Sequence, residues 1–245
     1  MMCGVVESPE YIDPMFSGLI KRVFHALPSQ CMVCHAWPTY PVCEACVNRF
    51  AQPQSRCQTC ALPVPPSVRQ CGACIKNPPP LNACLAAVSY AFPWSDLIVG
   101  YKFHNHPGRA SAFALLLRST PWVEPALDAA DAVVPMPLSV NRLQTRGFNQ
   151  ALTLARQLAP DKTDSRLLLR IQDTPPQSSL KRAERLDSVK DAFAVEPLLS
   201  AQIKGARLVL VDDVMTSGAS LFAAARALRA AGAAHITGLV IARTE

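Results

Sequence analysis

The chain has 245 residues, half of them apolar and 17% charged, with a formal charge of +6. That length suffices for one large domain or a domain plus a module, and that composition excludes a disordered chain. No stretch approaches the ~20 apolar residues of a bilayer span, and the start, Met-Met-Cys-Gly-Val-Val-Glu, lacks the basic-then-apolar pattern of a secretory signal. The expected compartment is therefore the reducing cytoplasm, where paired cysteines mean metal more often than disulfide.

Residues 1–14 read as a loose leader. From Met15 to Leu27 the apolar residues fall on one helical face, which predicts an amphipathic helix. Four Cys-x-x-Cys pairs follow: Cys31/Cys34, Cys43/Cys46, Cys57/Cys60 and Cys71/Cys74. Each such turn can aim two thiolates at one ion, and two turns complete a four-cysteine zinc site of the structural type. A redox motif would need one pair, disulfides an oxidising compartment, and c-type haem attachment at Cys31-x-x-Cys34-His35 an export signal. Spacers of eight and ten residues inside the two sets suit sequential ribbons, with interleaving as the alternative. Eight thiolates holding two Zn²⁺ subtract four charges, which lowers the +6 to +2. Arg49, Arg56, Arg69 and Lys76 face only Glu44 in this segment, so a structural, partner-docking or nucleic-acid role is open. Cys3 and Cys84 fall outside the pattern and read as free thiols.

Beyond Cys84 the pattern changes to alternating strands and helices. Strands are predicted over Leu85–Phe92, Asp131–Val134, Leu167–Ile171, Leu208–Val211 and Ile236–Ala242. Helices are predicted from a Ser95 cap to Phe103, from Pro107 to Arg118, over Phe148–Leu158, Arg182–Lys190 and Ala219–Ala231, with Gly232 as a stop. The alternation predicts an α/β fold, a mostly parallel sheet with helices on both faces, and ligands beyond the carboxyl ends of its strands. Lys102, His104, His106 and Arg109 form a basic cluster beside Tyr101 and Phe103. It suits the acceptor side of a cleft, a nucleic-acid backbone or a plain surface loop.

The most informative stretch is Leu208-Val-Leu-Val-Asp-Asp-Val-Met-Thr-Ser-Gly-Ala-Ser220. A buried strand is predicted to end at Asp212 and Asp213, and a small hydroxyl-rich loop then opens an Ala-rich helix. Free N–H groups and a helix N-terminus beside two acids suit a phosphate with sugar hydroxyls or a metal next to it. Arg142 and Arg146 follow the strand end at Pro135, where guanidinium groups can grip pyrophosphate oxygens; Gly147 is expected to permit a close backbone approach.

This stretch resembles the phosphoribosyl-pyrophosphate (PRPP) motif of type I phosphoribosyltransferases. The resemblance implies that Asp212 and Asp213 hold the ribose hydroxyls with Mg²⁺ nearby, and that Thr216, Ser217, Gly218, Ala219 and Ser220 cradle the 5′-phosphate. The order of the paired cysteines, Val134-Pro-Met-Pro-Leu138, Arg142-x-x-x-Arg146-Gly-Phe-Asn-Gln150, Asp173-Thr-Pro-Pro-Gln177 with Arg182-x-x-Arg185, and the PRPP motif is similar to the ComF family. That family is associated with natural competence and DNA uptake. The resemblance implies a leader with its helix over 1–30, a double zinc ribbon over 31–84 and a type I phosphoribosyltransferase-like domain over 85–245. It also implies that Lys181 and Arg182 lie on a mobile loop closing over PRPP, and that Arg142 and Arg146 join the two acids as catalytic groups. Single-stranded DNA and competence proteins become candidate partners. Three readings stand: a phosphoribosyltransferase whose acceptor no residue names, a PRPP sensor without turnover, and a DNA-handling factor.

Overall fold

The computed structural model describes residues 29–103, 106–172 and 191–245. The helix expected over Met15–Leu27, His104 and the segment holding Lys181, Arg182 and Arg185 lie outside them. The chain forms two compact units, Met1–Cys43 and Glu44–Glu245.

In the first unit the described residues, 29–43, form a tight turn. Ser29 bridges Thr39 in antiparallel fashion. The Cys31 amide donates to Ala36 and the Cys31 carbonyl accepts from His35. His35 takes a left-handed φ of 60° at the turn.

The second unit opens with α1 (Glu44–Phe50) and α2 (Gly72–Lys76). It continues through β1 (Ala83–Ser89), α3 (Trp94–Phe103), α4 (Arg109–Arg118), α5 (Val123–Asp128), β2 (Ala132–Pro135), α6 (Val140–Arg146) and α7 (Gln150–Leu158). After β3 (Leu168–Arg170) come β4 (Phe193–Val195), β5 (Arg207–Met215), α8 (Ala219–Ala230) and β6 (His235–Arg243). Four strands make one parallel sheet in the order β1-β6-β5-β2. β3 and β4 pair antiparallel as a separate two-stranded sheet.

The sheet is buried on both sides, because Leu208, Val209, Leu210 and Val211 are each at most 2% exposed while pointing alternately to the two faces. Leu208, Leu210, Ile236 and Val240 share a core with Leu221, Ala224 and Leu228 of α8. Helix α7 packs on β2 and β5 and against α4. The predicted parallel α/β architecture is therefore present.

Several local expectations change. β1 begins two residues early, where the Cys84 amide donates to Gln58. Helix α3 starts at Trp94; Ser95 is inside it, and its hydroxyl donates to Asp96 rather than capping. The basic segment around Arg142, for which no element is predicted, is a helix. The Ser139 hydroxyl accepts from the Arg142 amide at its start, and Gly147 ends it at φ 77°. Gly147 provides the left-handed C-cap of this helix, and nothing lies within 4 Å of where a Cβ would sit there. Helix α5 forms despite Pro125, which sits in its first turn where no helical donor is lost. No helix among the described residues is long and apolar enough to cross a membrane.

Candidate functional site

β5 does not stop at the acids. It runs on to Met215, so Asp212 and Asp213 lie inside its last turn of pleat and point to opposite sides. Each carboxylate folds back on the strand. Asp212 Oδ1 accepts the Asp213 amide at 2.9 Å, and Asp213 Oδ1 accepts the Val214 amide at 2.6 Å. Asp213 is buried and pairs with Lys102 Nζ at 2.9 Å. Burial and the charge of Asp213 push the Asp212 carboxyl up to about 7, while Lys102, the Asp213 amide and Arg146 pull it down.

Lys102 belongs to the basic cluster read from the sequence, where nothing pairs it with the acids of β5. It comes from the last turn of α3, and its partner is distant in the chain. The basic cluster around it separates. Arg109 Nη1 donates to the Leu97 carbonyl at 2.9 Å, and the missing side chain of Gly100 makes room for that guanidinium. Arg109 is thus a structural strut inside the helical layer, and among the described residues of the cluster Lys102 is the one that pairs with the acids. Phe103 is exposed and carries the Arg146 guanidinium 5.1 Å above its ring.

Arg146 also donates to Gln150 Oε1 at 3.2 Å. The buried Gln150 in turn donates to the Lys102 carbonyl at 3.3 Å. Asn149 fixes the start of α7: its Oδ1 accepts from Leu152 and its Nδ2 donates to the Met136 carbonyl at 3.0 Å. Beneath them the buried Tyr101 hydroxyl donates to the Gln150 carbonyl at 2.8 Å. The end of α3, the end of α6 and the start of α7 therefore meet at the acids of β5. Arg142 stands one helical turn before Arg146 on the same side of α6.

Beyond Met215 the chain turns through Thr216–Gly218 into α8. Gly218 has φ 82°, and a Cβ there would meet Met215 Cε at 2.6 Å and Phe222 at 2.7 Å. Only glycine fits that corner. Ser217 is buried and its hydroxyl accepts the Ala219 amide at 3.3 Å, closing the turn. Thr216 is exposed, Ala219 buried and Ser220 half-buried.

The cysteines form two groups, Cys31/Cys34/Cys43/Cys46 and Cys57/Cys60/Cys71/Cys74, each with its sulfurs within 4.8 Å of one another. The partition is sequential. Cys34 and Cys43 sulfurs are 3.6 Å apart, and Cys60 and Cys71 sulfurs 3.7 Å apart. A tetrahedron with Zn–S bonds of about 2.3 Å has edges of about 3.8 Å, whereas a disulfide is about 2.05 Å. Backbone amides of Cys43 and Cys71 donate to the sulfurs of Cys31 and Cys57 at 3.4 and 3.3 Å. Burial raises both of these thiols, but backbone donors more than reverse it and hold them at about 6 and about 7. Cys60 and Cys74 are pushed up, first by burial. Four sulfurs this close suit a cation between them, which would hold all four as thiolates, so both groups could bind zinc and fit a zinc-ribbon module. Cys84 is buried with its thiol pushed up to about 12.

A family model described as "Phosphoribosyl transferase domain" matches residues 143–244. The "DNA utilization protein YhgH" of Escherichia coli K12 is 31% identical over 232 residues, covering 89% of this chain and 98% of that protein. The "Competence protein F" of Haemophilus influenzae is 29% identical over 197 residues, 76% of this chain and 84% of its own. The "Competence protein ComFC" of Bacillus subtilis is 33% identical over 145 residues, 59% and 57% of the two chains. Together with the parallel sheet and the two four-cysteine groups, these relatives show that the chain belongs to the ComF family.

Proposed function

We propose that this protein binds PRPP with Mg²⁺ at the carboxyl end of β5 and acts in the cytoplasm in natural competence, handling incoming single-stranded DNA. The observation that carries the reading is the convergence of Lys102 and Arg146 on the adjacent acids Asp212 and Asp213, immediately before the turn into α8. Asp212 and Asp213 would accept hydrogen bonds from the ribose 2′- and 3′-hydroxyls. The amides of Thr216–Ser220 would donate to the 5′-phosphate, helped by the N-terminus of the twelve-residue α8. Arg142 and Arg146, with Lys181 and Arg182, would hold the pyrophosphate oxygens. The two carboxylates supply the hard oxygen donors that Mg²⁺ takes, and Mg²⁺ when bound supplies charge neutralisation of the diphosphate.

In this reading residues 31–84 form a double zinc ribbon and residues 85–245 the phosphoribosyltransferase-like domain, after a leader of 1–30. The relatives' names, DNA utilization and competence proteins, favour nucleic-acid handling over nucleotide supply. Transfer of the ribosyl group to an acceptor is the second reading, supported by the match to the phosphoribosyl transferase domain. In that case the arginines would stabilise leaving pyrophosphate while the closed site excludes water.

Calorimetry of the zinc-loaded protein with Mg²⁺ and PRPP, then with single-stranded DNA, tests the proposal. A dissociation constant well below about 1 mM is expected, with Asp212→Asn weakening it at least about tenfold. DNA affinity is expected to fall steeply with salt and to drop in Arg146→Ala and Lys181→Ala. PRPP binding no tighter than about 1 mM would overturn the site assignment. Pyrophosphate release with a panel of nucleobases and amines separates transfer from binding alone.

A further inference from the structure

Arg243 closes β6 with a side chain only 4% exposed. Its Nε donates to the Cys60 carbonyl at 2.9 Å. Its Nη1 donates to the carbonyls of Met215 at 3.1 Å and Thr216 at 2.6 Å, and to that of Thr244. Among the described residues it forms no ion pair, so backbone carbonyls satisfy a buried cation. Cys60 belongs to the second four-cysteine group. Met215 and Thr216 are the end of β5 and the first residue of the candidate phosphate loop.

A guanidinium is a planar, rigid fork, so bonds from two of its edges fix the spacing of the backbones they reach. If the Cys60 turn shifts, Arg243 must either lose an acceptor, costly for a buried charge, or drag the loop with it. A second path runs in parallel. The Cys84 amide donates to Gln58 in the same cysteine turn, and its sulfur lies 3.6 Å from Met215 Sδ.

We infer that Arg243 is a positioning residue that couples the second four-cysteine group to the loop Thr216–Ser220, so that metal held by Cys57, Cys60, Cys71 and Cys74 keeps the loop in its anion-binding shape. The inference rests on the reading of that loop as a phosphate cradle and of the cysteines as a metal site. By linkage, a ligand on the loop must oppose metal loss by the same factor that metal loss weakens the ligand.

The test is hydrogen exchange of the zinc-loaded full chain in the cold, followed in peptides covering the loop and, as a reference, β2. In the wild type, chelation is expected to raise loop exchange at least tenfold while β2 stays protected. Arg243→Gln is expected to show raised loop exchange with zinc present and little further rise on chelation. Arg243→Lys, which keeps the charge but not the fork, falls between. Mg²⁺ with PRPP is expected to slow zinc transfer to a colorimetric chelator in the wild type and not in Arg243→Gln. Equal loop exchange in wild type and Arg243→Gln, or the same rise on chelation in both, overturns the coupling. If Arg243→Gln does not fold, the wild type decides: metal removal that leaves loop exchange unchanged, or opens loop and β2 alike, overturns it. The exchange readout needs no ligand, so a failure of PRPP binding overturns the site assignment without touching this outcome.

Discussion

Asp212 carries the pH dependence of the site. Burial and the neighbouring Asp213 raise its carboxyl to about 7, while an unfolded aspartate titrates near ~4. The ligand-free fold therefore holds a proton that the unfolded chain releases. Stability from this group is full below about pH 4 and is lost as pH rises through about 7. Melting temperatures of the ligand-free protein are expected to fall between about pH 4 and 7, and Asp212→Asn to flatten that slope. Ligand binding should run the other way, because the ionised carboxylate is the better acceptor for ribose hydroxyls and Mg²⁺. Lys102 sets the second expectation. Its 2.9 Å pair with Asp213 is largely shielded, so Lys102→Met should cost about 3 kcal/mol by stranding a buried carboxylate. Denaturant unfolding of Lys102→Met, Asp213→Asn and the double variant checks this. The double variant should recover most of the loss, and simply additive losses would show that the two side chains do not couple.

At the scale of elements, two glycines with nearly the same φ do different things. Gly147 and Gly218 sit at φ 77° and 82°. Around Gly147 there is open space, so Gly147→Ala meets only the left-handed strain of about 1 kcal/mol. At Gly218 a methyl group also collides with Met215 and Phe222, raising the expected cost to about 3 kcal/mol. Gly218→Ala should also lose PRPP affinity, since the loop and the start of α8 must shift; Gly147→Ala should keep it within a few-fold. Calorimetry on the two variants side by side separates them. Helix α6 shows why the arginine block is hard to place from sequence. Its seven residues have no buried side chain and thus no apolar stripe to read. Only the Ser139 cap and the Gly147 stop mark its limits, and both also suit a loop.

Across the second unit, Cys57, Cys60, Cys71 and Cys74 belong to the same hydrophobic core as Leu208, Leu210 and Met215 of β5 and Leu221 and Leu228 of α8. Metal there would stabilise the core as well as a local turn. Chelation is expected to lower the melting temperature by at least about 5 °C, and Cys60→Ser to do the same without chelator. A melting temperature unmoved by both would mean that this group holds no stabilising metal.

The sequence by itself determined the parallel α/β pattern, the four cysteine pairs and the acid–acid–loop stretch before α8. Each is written locally, in a buried apolar run, a two-residue spacer or a turn glycine, so neighbours in sequence suffice. Tertiary structure alone decided that the cysteines group sequentially, that β5 carries its acids inside the strand, and that Lys102 rather than Arg109 reaches them. It alone placed Arg243 between the Cys60 turn and Thr216. These depend on which strands and helix ends are neighbours in space, and a buried cation's partners are set by that neighbourhood and not by chain order.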